Sequence, residues 1–326
     1  MNDVLKMSNA RNLASRRPGK ANRGWRPLVL AALALPLPLL ASENVPHAPF
    51  ADWANVPEQG QLVVGVFYDE SEAYHIWTKN DYHNVTVWAN GERYGIDINQ
   101  GYVALQYGIT KQWAADLSLG YTTVGWRYFN AAGAQVQSTS GMMDPSFGVR
   151  YQICNEAQAQ SPWVPTLTLR AGAVLPGSYS QGFPFAPGVR SASVEPELLL
   201  RKSFGWTGFG CYGDALFRWN RTTANDQYIA SAGLFQKIKG WELHAGYRHL
   251  GSVSGDDIVL NANNTINYPI AVRENNDSIE AGFTYTTSKL RWEYGFYTRT
   301  VLDGANTDGK FWFGGYVNIP FTIFKP

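Results

Sequence analysis

The sequence is poor in cysteine, in charged residues and in long apolar runs. It has 2 cysteines among 326 residues, and charged residues make up 16% of the chain, less than in an ordinary cytosolic enzyme. The five histidines are dispersed and neither cysteine has a partner at ligand spacing, so we expect no metal site and no cofactor. Seven of the 27 basic residues but one of the 26 acidic residues lie in the first 41 positions. The remainder is mildly acidic and gives no reason to expect a nucleic-acid partner.

A single long apolar run, Pro27 to Ala41, is too short to cross a membrane as a helix. It has 15 residues and contains Pro36 and Pro38, whereas a spanning helix needs roughly 20 apolar residues. The run follows a basic stretch and ends in small residues, which is the layout of a secretory signal peptide. We therefore expect residues 1–41 to be a signal peptide that is removed near Ala41 or Ser42.

From Gln61 onward, apolar and polar residues alternate in segments of about ten residues, with no sustained helical period. Between Trp113 and Tyr121, for example, Leu117 and Leu119 share one face while Asp116 and Ser118 share the other. Tight connections alternate with longer ones, as in transmembrane barrels with short periplasmic turns and long outer loops. The pattern predicts an all-β fold, a transmembrane antiparallel up-and-down β-barrel.

The segments add up to about twelve strands, an even number that returns both termini to the periplasm. The stretch from Tyr68 to Ile96 contains either loop extensions or an extra strand pair, so fourteen strands is the alternative. We expect a short periplasmic segment over residues 42–60 and an outer-membrane barrel over residues 61–326. Aromatic residues near segment ends, Trp312 among them, are expected to form girdles at the two membrane surfaces.

The inward faces of the predicted strands carry many charges. A barrel of about twelve strands is too wide for side chains alone to fill, so these charges either line a polar passage or pair into a network that braces the wall. Both roles are compatible, because a braced wall still encloses a pore. The predicted pore-lining residues are Arg150, Arg170, Glu195, Glu197, Arg201, Asp214, Arg218, Glu242, Arg248, Glu280, Arg291, Glu293 and Arg299.

The two cysteines are expected to be free thiols. Cys154 ends the fourth predicted strand and Cys211 begins the seventh, three strand spacings away. At about 4.8 Å per spacing the separation is roughly 14 Å, beyond the roughly 7 Å over which a disulfide can join two α-carbons.

A lipid-modifying hydrolase is one alternative, because some outer-membrane barrels carry a histidine and a serine on the lipid-facing side. His249 has the parity of the lipid face, but Ser252 has the opposite parity and no acidic partner is evident. The more ordinary interpretation is a histidine at the membrane interface.

Two prolines fall inside neighbouring predicted strands. Because proline cannot donate to a strand ladder, Pro165 and Pro196 could open a small gap in the wall, a lateral exit for apolar substrates. A bulge near the membrane edge is the commoner cause of such a feature.

Two segments carry a resemblance to a known family. Residues 107–121 contain Tyr107-Gly108-Ile109-Thr110 followed by an amphipathic strand, and residues 144–151 run from Asp144 through a glycine-containing strand to Arg150-Tyr151. This layout resembles the transporter-like barrels named for the meta-pathway of phenol degradation, over about residues 60 to 324. The resemblance implies an outer-membrane channel for aromatic or other hydrophobic small molecules. The N-terminal plug of long-chain fatty-acid transporters has no evident counterpart between Ser42 and Gln59.

We therefore expect a channel for passive uptake of small molecules and no enzyme activity. Its expected partners are outer-membrane lipid, the barrel-assembly machinery and a small-molecule solute that the sequence does not name. The alternatives are the lipid-modifying hydrolase and a structural or adhesion barrel without transport, which would need only the long outer loops.

Overall fold

The computed structural model of the chain is an all-β barrel. It describes residues 51–84, 87–89, 92–130, 133–180, 186, 188, 190–221, 224–260, 266–267, 269 and 271–324. The signal peptide expected over residues 1–41 lies outside the described residues, as do residues 42–50.

The alternating segments of the sequence form eighteen described strands, and two short 3-10 helices cover Ala51–Ala54 and Gly205–Thr207. The strands are β1 Gln61–Thr78, β2 Asp81–Asn84, β3 Val87–Ala89, β4 Glu92–Tyr94, β5 Ile96–Gly108, β6 Trp113–Asn130, β7 Gly133–Met142, β8 Ser146–Cys154, β9 Thr166–Val174, β10 Ser193–Ser203, β11 Phe209–Asn220, β12 Gln227–Ile238, β13 Trp241–Ser252, β14 Val259–Leu260, β15 Ile266–Asn267, β16 Asn275–Thr286, β17 Glu293–Ala305 and β18 Asp308–Thr322.

Twelve of these strands close into one antiparallel barrel. Going round the wall, the order is β1, β5, β6, β8, β9, β10, β11, β12, β13, β16, β17 and β18. Strand β18 then pairs with β1 in a long register that runs from Gln61 opposite Thr322 to Ile76 opposite Asp308. The prediction of twelve strands is confirmed. Closure removes the free sheet edges, so the backbone hydrogen bonds of the wall are satisfied within it.

The fourteen-strand alternative is wrong. In the described residues, strand β2 pairs with the far end of β1, and β7 pairs with the second half of β6. Strand β3 pairs with β4, and β14 pairs with β15. These short strands are extensions of the loops and are not part of the closed wall.

The barrel has the burial pattern of a membrane protein, with apolar side chains outside and polar ones inside. In β10 the exposed fractions are 40% for Val194 and 41% for Leu198, but 0% for Glu195 and 3% for Glu197. A soluble β-sandwich would bury the apolar face instead. The outward apolar band therefore faces lipid, and the polar face encloses the lumen.

The two ends of the barrel differ in their connections. At one end, called here the short-turn end, β5 joins β6, β12 joins β13 and β16 joins β17 through short turns, and β1 and β18 have their terminal ends. At the other, long-loop end, the connections after β1, β6, β9 and β13 are mostly long and contain the extra hairpins. Within the described residues no helix is both long and apolar enough to cross a membrane.

Candidate channel lining

The charged side of the lumen is organised around one arginine. Arg170 of β9 is fully surrounded, and its Nη2 lies 2.9 Å from Oδ2 of Asp116 on β6. Its Nη1 lies 3.5 Å from Glu195 and 3.4 Å from Glu197, both on β10. A buried charge is tolerated only when it is paired and hydrogen-bonded, and here one guanidinium serves three carboxylates.

The inward glycines of two strands make room for this arginine. A Cβ added at Gly148 of β8 or Gly172 of β9 would come within 3 Å of the Arg170 guanidinium. The guanidinium therefore lies flat against the wall, over backbone that carries no side chain. A larger residue at either glycine would push it away from its carboxylates.

Two further arginines extend the network along the wall. Arg218 of β11 donates from Nε to Glu195 over 2.6 Å, and Arg150 of β8 lies 3.6 Å from Asp116 and donates to Gln106 over 2.8 Å. We call the set Asp116, Arg150, Arg170, Glu195, Glu197 and Arg218 the ionic wall. It covers β6 and β8 to β11.

Other inward charges form separate pairs. Arg201 lies 3.1 Å from Glu242, and Arg299 lies 3.4 Å from Glu280, which also accepts a hydrogen bond from Tyr212. Asp214 accepts a hydrogen bond from Ser231. These pairs continue the charged lining beyond the ionic wall, on strands β10 to β17.

Twelve of the thirteen predicted pore-lining residues lie on the inward face of the barrel. Ten of them are buried: Arg150, Arg170, Glu195, Glu197, Arg201, Arg218, Glu242, Arg248, Glu280 and Arg299. Asp214 and Glu293 are partly buried, and Glu293 accepts a hydrogen bond from Asn318 near the short-turn end. Their role in lining a pore stays a prediction.

Arg291 was expected on the inward face, and this placement is wrong. It lies in the turn before β17, has a backbone φ of 55° and forms an exposed ion pair with Glu58. The positive φ interrupts the extended backbone, so the alternation that begins at Glu293 does not include Arg291.

The opposite side of the lumen is aromatic. Phe67 of β1 stacks on Tyr102 of β5 with ring centroids 4.5 Å apart, and on Tyr316 of β18 with centroids 5.2 Å apart. Tyr297 of β17 packs in the same cluster and donates from its hydroxyl to Asp69 over 3.1 Å. We call these four aromatic residues the aromatic strip. The predicted pore lining contains charged residues alone, so it does not include these four inward aromatic residues.

Trp312 also lies inside the barrel, against the expectation that it belongs to an aromatic girdle. It is 8% exposed, whereas its neighbours Phe311 and Phe313 are more than 40% exposed. The guanidinium of Arg299 lies 5.7 Å from its ring and the Lys310 ammonium lies 5.1 Å away. These cation–π contacts place the Trp312 ring beside the Arg299–Glu280 pair in the lumen.

The segment before β1 enters the lumen. The carbonyl oxygens of Trp53 and Asn55 accept hydrogen bonds from Nη1 of Arg150 over 2.9 and 3.2 Å, and that of Ala54 accepts from Gln152 and Thr168. The Arg150 guanidinium also lies 4.2 Å from the centre of the Trp53 ring. Residues 53–55 therefore lie inside the lumen, while the expectation that residues 42–59 have no counterpart to the plug of fatty-acid transporters stays a prediction. The sequence does not predict these contacts, because residues 53–55 do not belong to an alternating strand pattern.

The remaining candidates are dispersed. Cys154 and Cys211 are both free, which confirms the prediction of two thiols. His249 packs its ring against the outward Tyr228, while Ser252 is buried on the inward side and accepts a hydrogen bond from the Glu274 backbone. The pair therefore does not share a face, as a hydrolase would need. The described residues contain no group of three potential metal ligands.

Comparisons with known proteins agree with this architecture. Residues 75–307 match the family described as "Putative MetA-pathway of phenol degradation". The chain belongs to this family. Family membership confirms the resemblance found in the sequence, and no curated protein sequence is significantly similar to the chain.

One solved structure shares the fold of this family member, and others are more distantly similar. An outer-membrane channel from Pseudomonas putida F1 superposes with a TM-score of 0.62 at 15% identity, over 84% of this chain and 100% of the channel. The translocator domain of the autotransporter NalP from Neisseria meningitidis gives 0.46 at 13% identity, over 83% and 91%. The CymD monoaromatic hydrocarbon channel gives 0.40 at 11% identity, over 81% and 89%. At these identities, the first likeness shows the fold.

Proposed function

We propose that this protein is a passive channel of the Gram-negative outer membrane that takes up small molecules, with aromatic compounds as its solutes. The observation that carries the proposal is the two-sided lumen, in which the aromatic strip and the ionic wall line opposite sides of one closed barrel. Membership of a family named for phenol degradation agrees with aromatic solutes.

Each side of the lumen would contribute a different interaction. The rings of the aromatic strip stack on one another, so a flat solute would stack by entering between them, and such aromatic pairs contribute about 0.5–1.5 kcal/mol beyond area burial. Asp69 and the Tyr297 hydroxyl, 3.1 Å apart, offer hydrogen-bond partners to a phenolic hydroxyl. The charged side keeps the rest of the lumen polar, so a solute is held weakly and is released along its gradient.

Orientation follows from the two ends of the barrel. Bacterial barrels place short turns in the periplasm and long loops outside the cell. The solute would then enter from the long-loop end and leave past residues 53–55 at the short-turn end. The proposal contains no catalytic step, since His249 and Ser252 lie on opposite faces.

The test uses the mature protein in liposomes loaded with buffer alone. Uptake of 4-hydroxybenzoate, an anion that crosses lipid slowly, is compared with uptake of cyclohexanecarboxylate, which has the same charge and similar size but no π face. We expect the aromatic anion to enter faster. If neither solute enters faster than into protein-free liposomes, the channel proposal fails and a structural or adhesion barrel takes its place.

A second measurement tests the charge lining directly. Single-channel currents in a planar bilayer are recorded for the wild type and for the Glu195→Gln, Glu197→Gln variant. Removing two carboxylates leaves Arg170 and Arg218 in excess, so the ion selectivity should shift toward anions. Unchanged selectivity in a variant that still conducts would contradict a charge-lined pore.

A further inference from the structure

Arg150 differs from the other arginines of the ionic wall in its distance to a carboxylate. Arg170 and Arg218 lie 2.9 and 2.6 Å from a carboxylate oxygen, whereas Arg150 lies 3.6 Å from Asp116. Both oxygens of Asp116 also accept hydrogen bonds from Arg170. Among the described residues, Arg150 therefore has no carboxylate within hydrogen-bond distance, although its side chain is fully buried.

The hydrogen bonds of Arg150 all go to neutral acceptors. Its Nη1 donates to the carbonyl oxygens of Trp53 and Asn55 over 2.9 and 3.2 Å, and its Nη2 donates to Gln106 over 2.8 Å. Its Nε has no hydrogen-bond partner in the described part of the chain. A guanidinium attracts an anionic acceptor more strongly than a neutral one. A carboxylate in place of the two carbonyl oxygens would therefore bind Arg150 more strongly.

Trp53 presents Arg150 with the groups of an aromatic acid. Its carbonyl oxygen accepts a hydrogen bond from the guanidinium, and the same guanidinium lies 4.2 Å from the centre of its ring. In tryptophan, two tetrahedral carbons separate the carbonyl carbon from the ring. A 3-arylpropanoate has the same skeleton, with a carboxylate where Trp53 has a peptide carbonyl. Arginine binds carboxylates through paired hydrogen bonds and also stacks on rings, so it can hold both parts of such a molecule.

The segment around Trp53 is held by few contacts. The Ala54 carbonyl oxygen accepts hydrogen bonds from Thr168 over 2.6 Å and from Gln152 over 3.3 Å, and both residues pack with Leu199. The first barrel strand begins only at Gln61, so none of these contacts belongs to the ladder of the wall. The segment can therefore leave the lumen without breaking the barrel.

The route out of the lumen follows the barrel axis. Of the two prolines expected to open a gap in the wall, Pro165 precedes β9 and lies outside it. Pro196 lies opposite Ala171 in the β9–β10 ladder, and the register with β11 is the same on both sides of it. Pro196 thus lacks an N–H to donate but opens no gap. A solute that leaves at the short-turn end must pass residues 53–55.

We propose that Arg150 is the centre of a binding site for 3-arylpropanoate anions and that Trp53 occupies this site until such a solute displaces it. The inference rests on the proposed function for the aromatic class of the solute, and it adds the carboxylate and the two-carbon spacer. The solute carboxylate replaces the carbonyl oxygens of Trp53 and Asn55, and its ring replaces that of Trp53. Residues 53–55 then leave the lumen, so the bound solute opens its own exit.

Cysteine labelling in detergent micelles tests the displacement. The variant is Ala54→Cys with Cys154→Ser and Cys211→Ser, and Ala54 is 3% exposed, so a water-soluble maleimide should react slowly. 3-Phenylpropionate should accelerate labelling by about tenfold, the factor by which a charged acceptor strengthens a hydrogen bond over a neutral one. 3-Cyclohexylpropionate lacks the π face and 3-phenylpropan-1-ol lacks the charge, so both should act more weakly. Equal acceleration by all three compounds, or none by any, would overturn the proposal.

A pair of arginine variants in the same background locates the site. Arg150→Lys should abolish the response to 3-phenylpropionate, because lysine has neither paired donors nor a flat face. Arg201→Lys is the matched control, since the Arg201 guanidinium also lies over a ring, that of Phe235, but is paired with Glu242. The control should keep the response. Loss of the response in both variants would contradict a site at Arg150.

A disulfide between the segment and the wall separates this proposal from the channel proposal. The variant is Ala54→Cys, Thr168→Cys in the same background, and the Thr168 hydroxyl already lies 2.6 Å from the Ala54 carbonyl oxygen. Oxidation should abolish uptake of 3-phenylpropionate into liposomes, and reduction should restore it. The control, Leu169→Cys, Leu198→Cys, joins two paired wall residues and should transport the solute in either state.

The two proposals fail in different ways in this experiment. Undiminished uptake by the oxidised segment variant would overturn displacement of the segment but leave the channel proposal intact. Absence of uptake by the control variant and the wild type would contradict the channel itself.

Discussion

The ionic wall and the aromatic strip line the same lumen but are held together by different physics. In the ionic wall, Arg170 compensates three carboxylates at once, so loss of this one side chain removes a positive neighbour from all three. In the aromatic strip, each ring makes its own stacking contacts, such as those of Phe67 with Tyr102 and Tyr316. A single substitution in the ionic wall should therefore cause a large loss of stability. A single substitution in the aromatic strip should cause a small one.

The largest effect is expected from Arg170→Met. Breaking a buried ion pair by removing one partner costs about 3–5 kcal/mol, and here three buried carboxylates each lose a positive neighbour. We expect the variant to unfold at much lower urea concentration in detergent micelles. The control is Arg291→Met, which removes an exposed pair with Glu58 and should cost about 0–1 kcal/mol. Equal losses in the two variants would contradict the central position of Arg170.

Glu274 is a carboxylate held by neutral groups, and it can be compared with the arginine-paired carboxylates of the ionic wall. Glu274 lies in the loop before β16, outside the membrane-spanning strands, and accepts hydrogen bonds from the neutral groups of Asn276 and Thr307. Burial raises the pKa of Glu274 from 4.5 to about 7, against the lowering effect of the Thr307 bond. Nearby Asp308 raises this pKa further, whereas Lys310 lowers it.

The sign of the resulting pH effect follows from proton binding. Between about pH 4.5 and 7 the folded protein holds a proton on Glu274 that the unfolded chain has released, so this contribution to stability falls as the pH rises. Allowing for the partial exposure of Glu274, the loss is roughly 2 kcal/mol. Urea unfolding of the wild type and of Glu274→Gln on both sides of this range measures it. A wild type and variant with the same pH dependence would rule out Glu274 as the source.

Trp53→Ala tests the segment inside the lumen at its contact with the ionic wall. A desolvated cation–π contact contributes about 0.5–2 kcal/mol, so residues 53–55 should leave the lumen more often. We expect a larger mean single-channel conductance with unchanged barrel stability. Trp163→Ala is the control, because Trp163 is 84% exposed in a turn. A conductance equal to that of the wild type would mean that this segment does not obstruct ion flow.

The smallest effect is expected from Phe67→Leu in the aromatic strip. Leucine keeps this buried site apolar but is smaller than phenylalanine, so we expect a stability loss of roughly 1 kcal/mol, while the loss of stacking should slow uptake of 4-hydroxybenzoate by about two- to tenfold. Uptake of cyclohexanecarboxylate should not change, because this solute has no π face. A similar reduction for both solutes would show that Phe67 acts by shape and not by stacking.

Much of the barrel could be predicted because strand alternation is a local property. Leu117 and Asp116 lie on opposite faces by their spacing alone, and the same parity places Glu195 and Glu197 inside the barrel. Two residues were placed wrongly, one because the alternation was not applied to it and one because the alternation was extended beyond the strand. Trp312 was assigned by residue type although its neighbours Phe311 and Phe313 have the outward parity, and Arg291 was included although it precedes its strand.

Asp116 shows what spacing alone leaves out. Its inward parity was recognised, but it was not included among the pore-lining charges, and the structure places it against both Arg150 and Arg170. These arginines come from strands that follow in the sequence by more than thirty residues. Which charges meet depends on register and strand order, which the alternation does not encode.

The sequence by itself determined the all-β architecture, a barrel of about twelve strands and the polar character of its inward face, because a period of two residues decides which side chains face lipid. The structure decided between twelve and fourteen strands. The tertiary structure decided which inward residues touch. Barrel closure brings β1 beside β18, so that Phe67 meets Tyr316, and it places the carbonyl groups of residues 53–55 against Arg150.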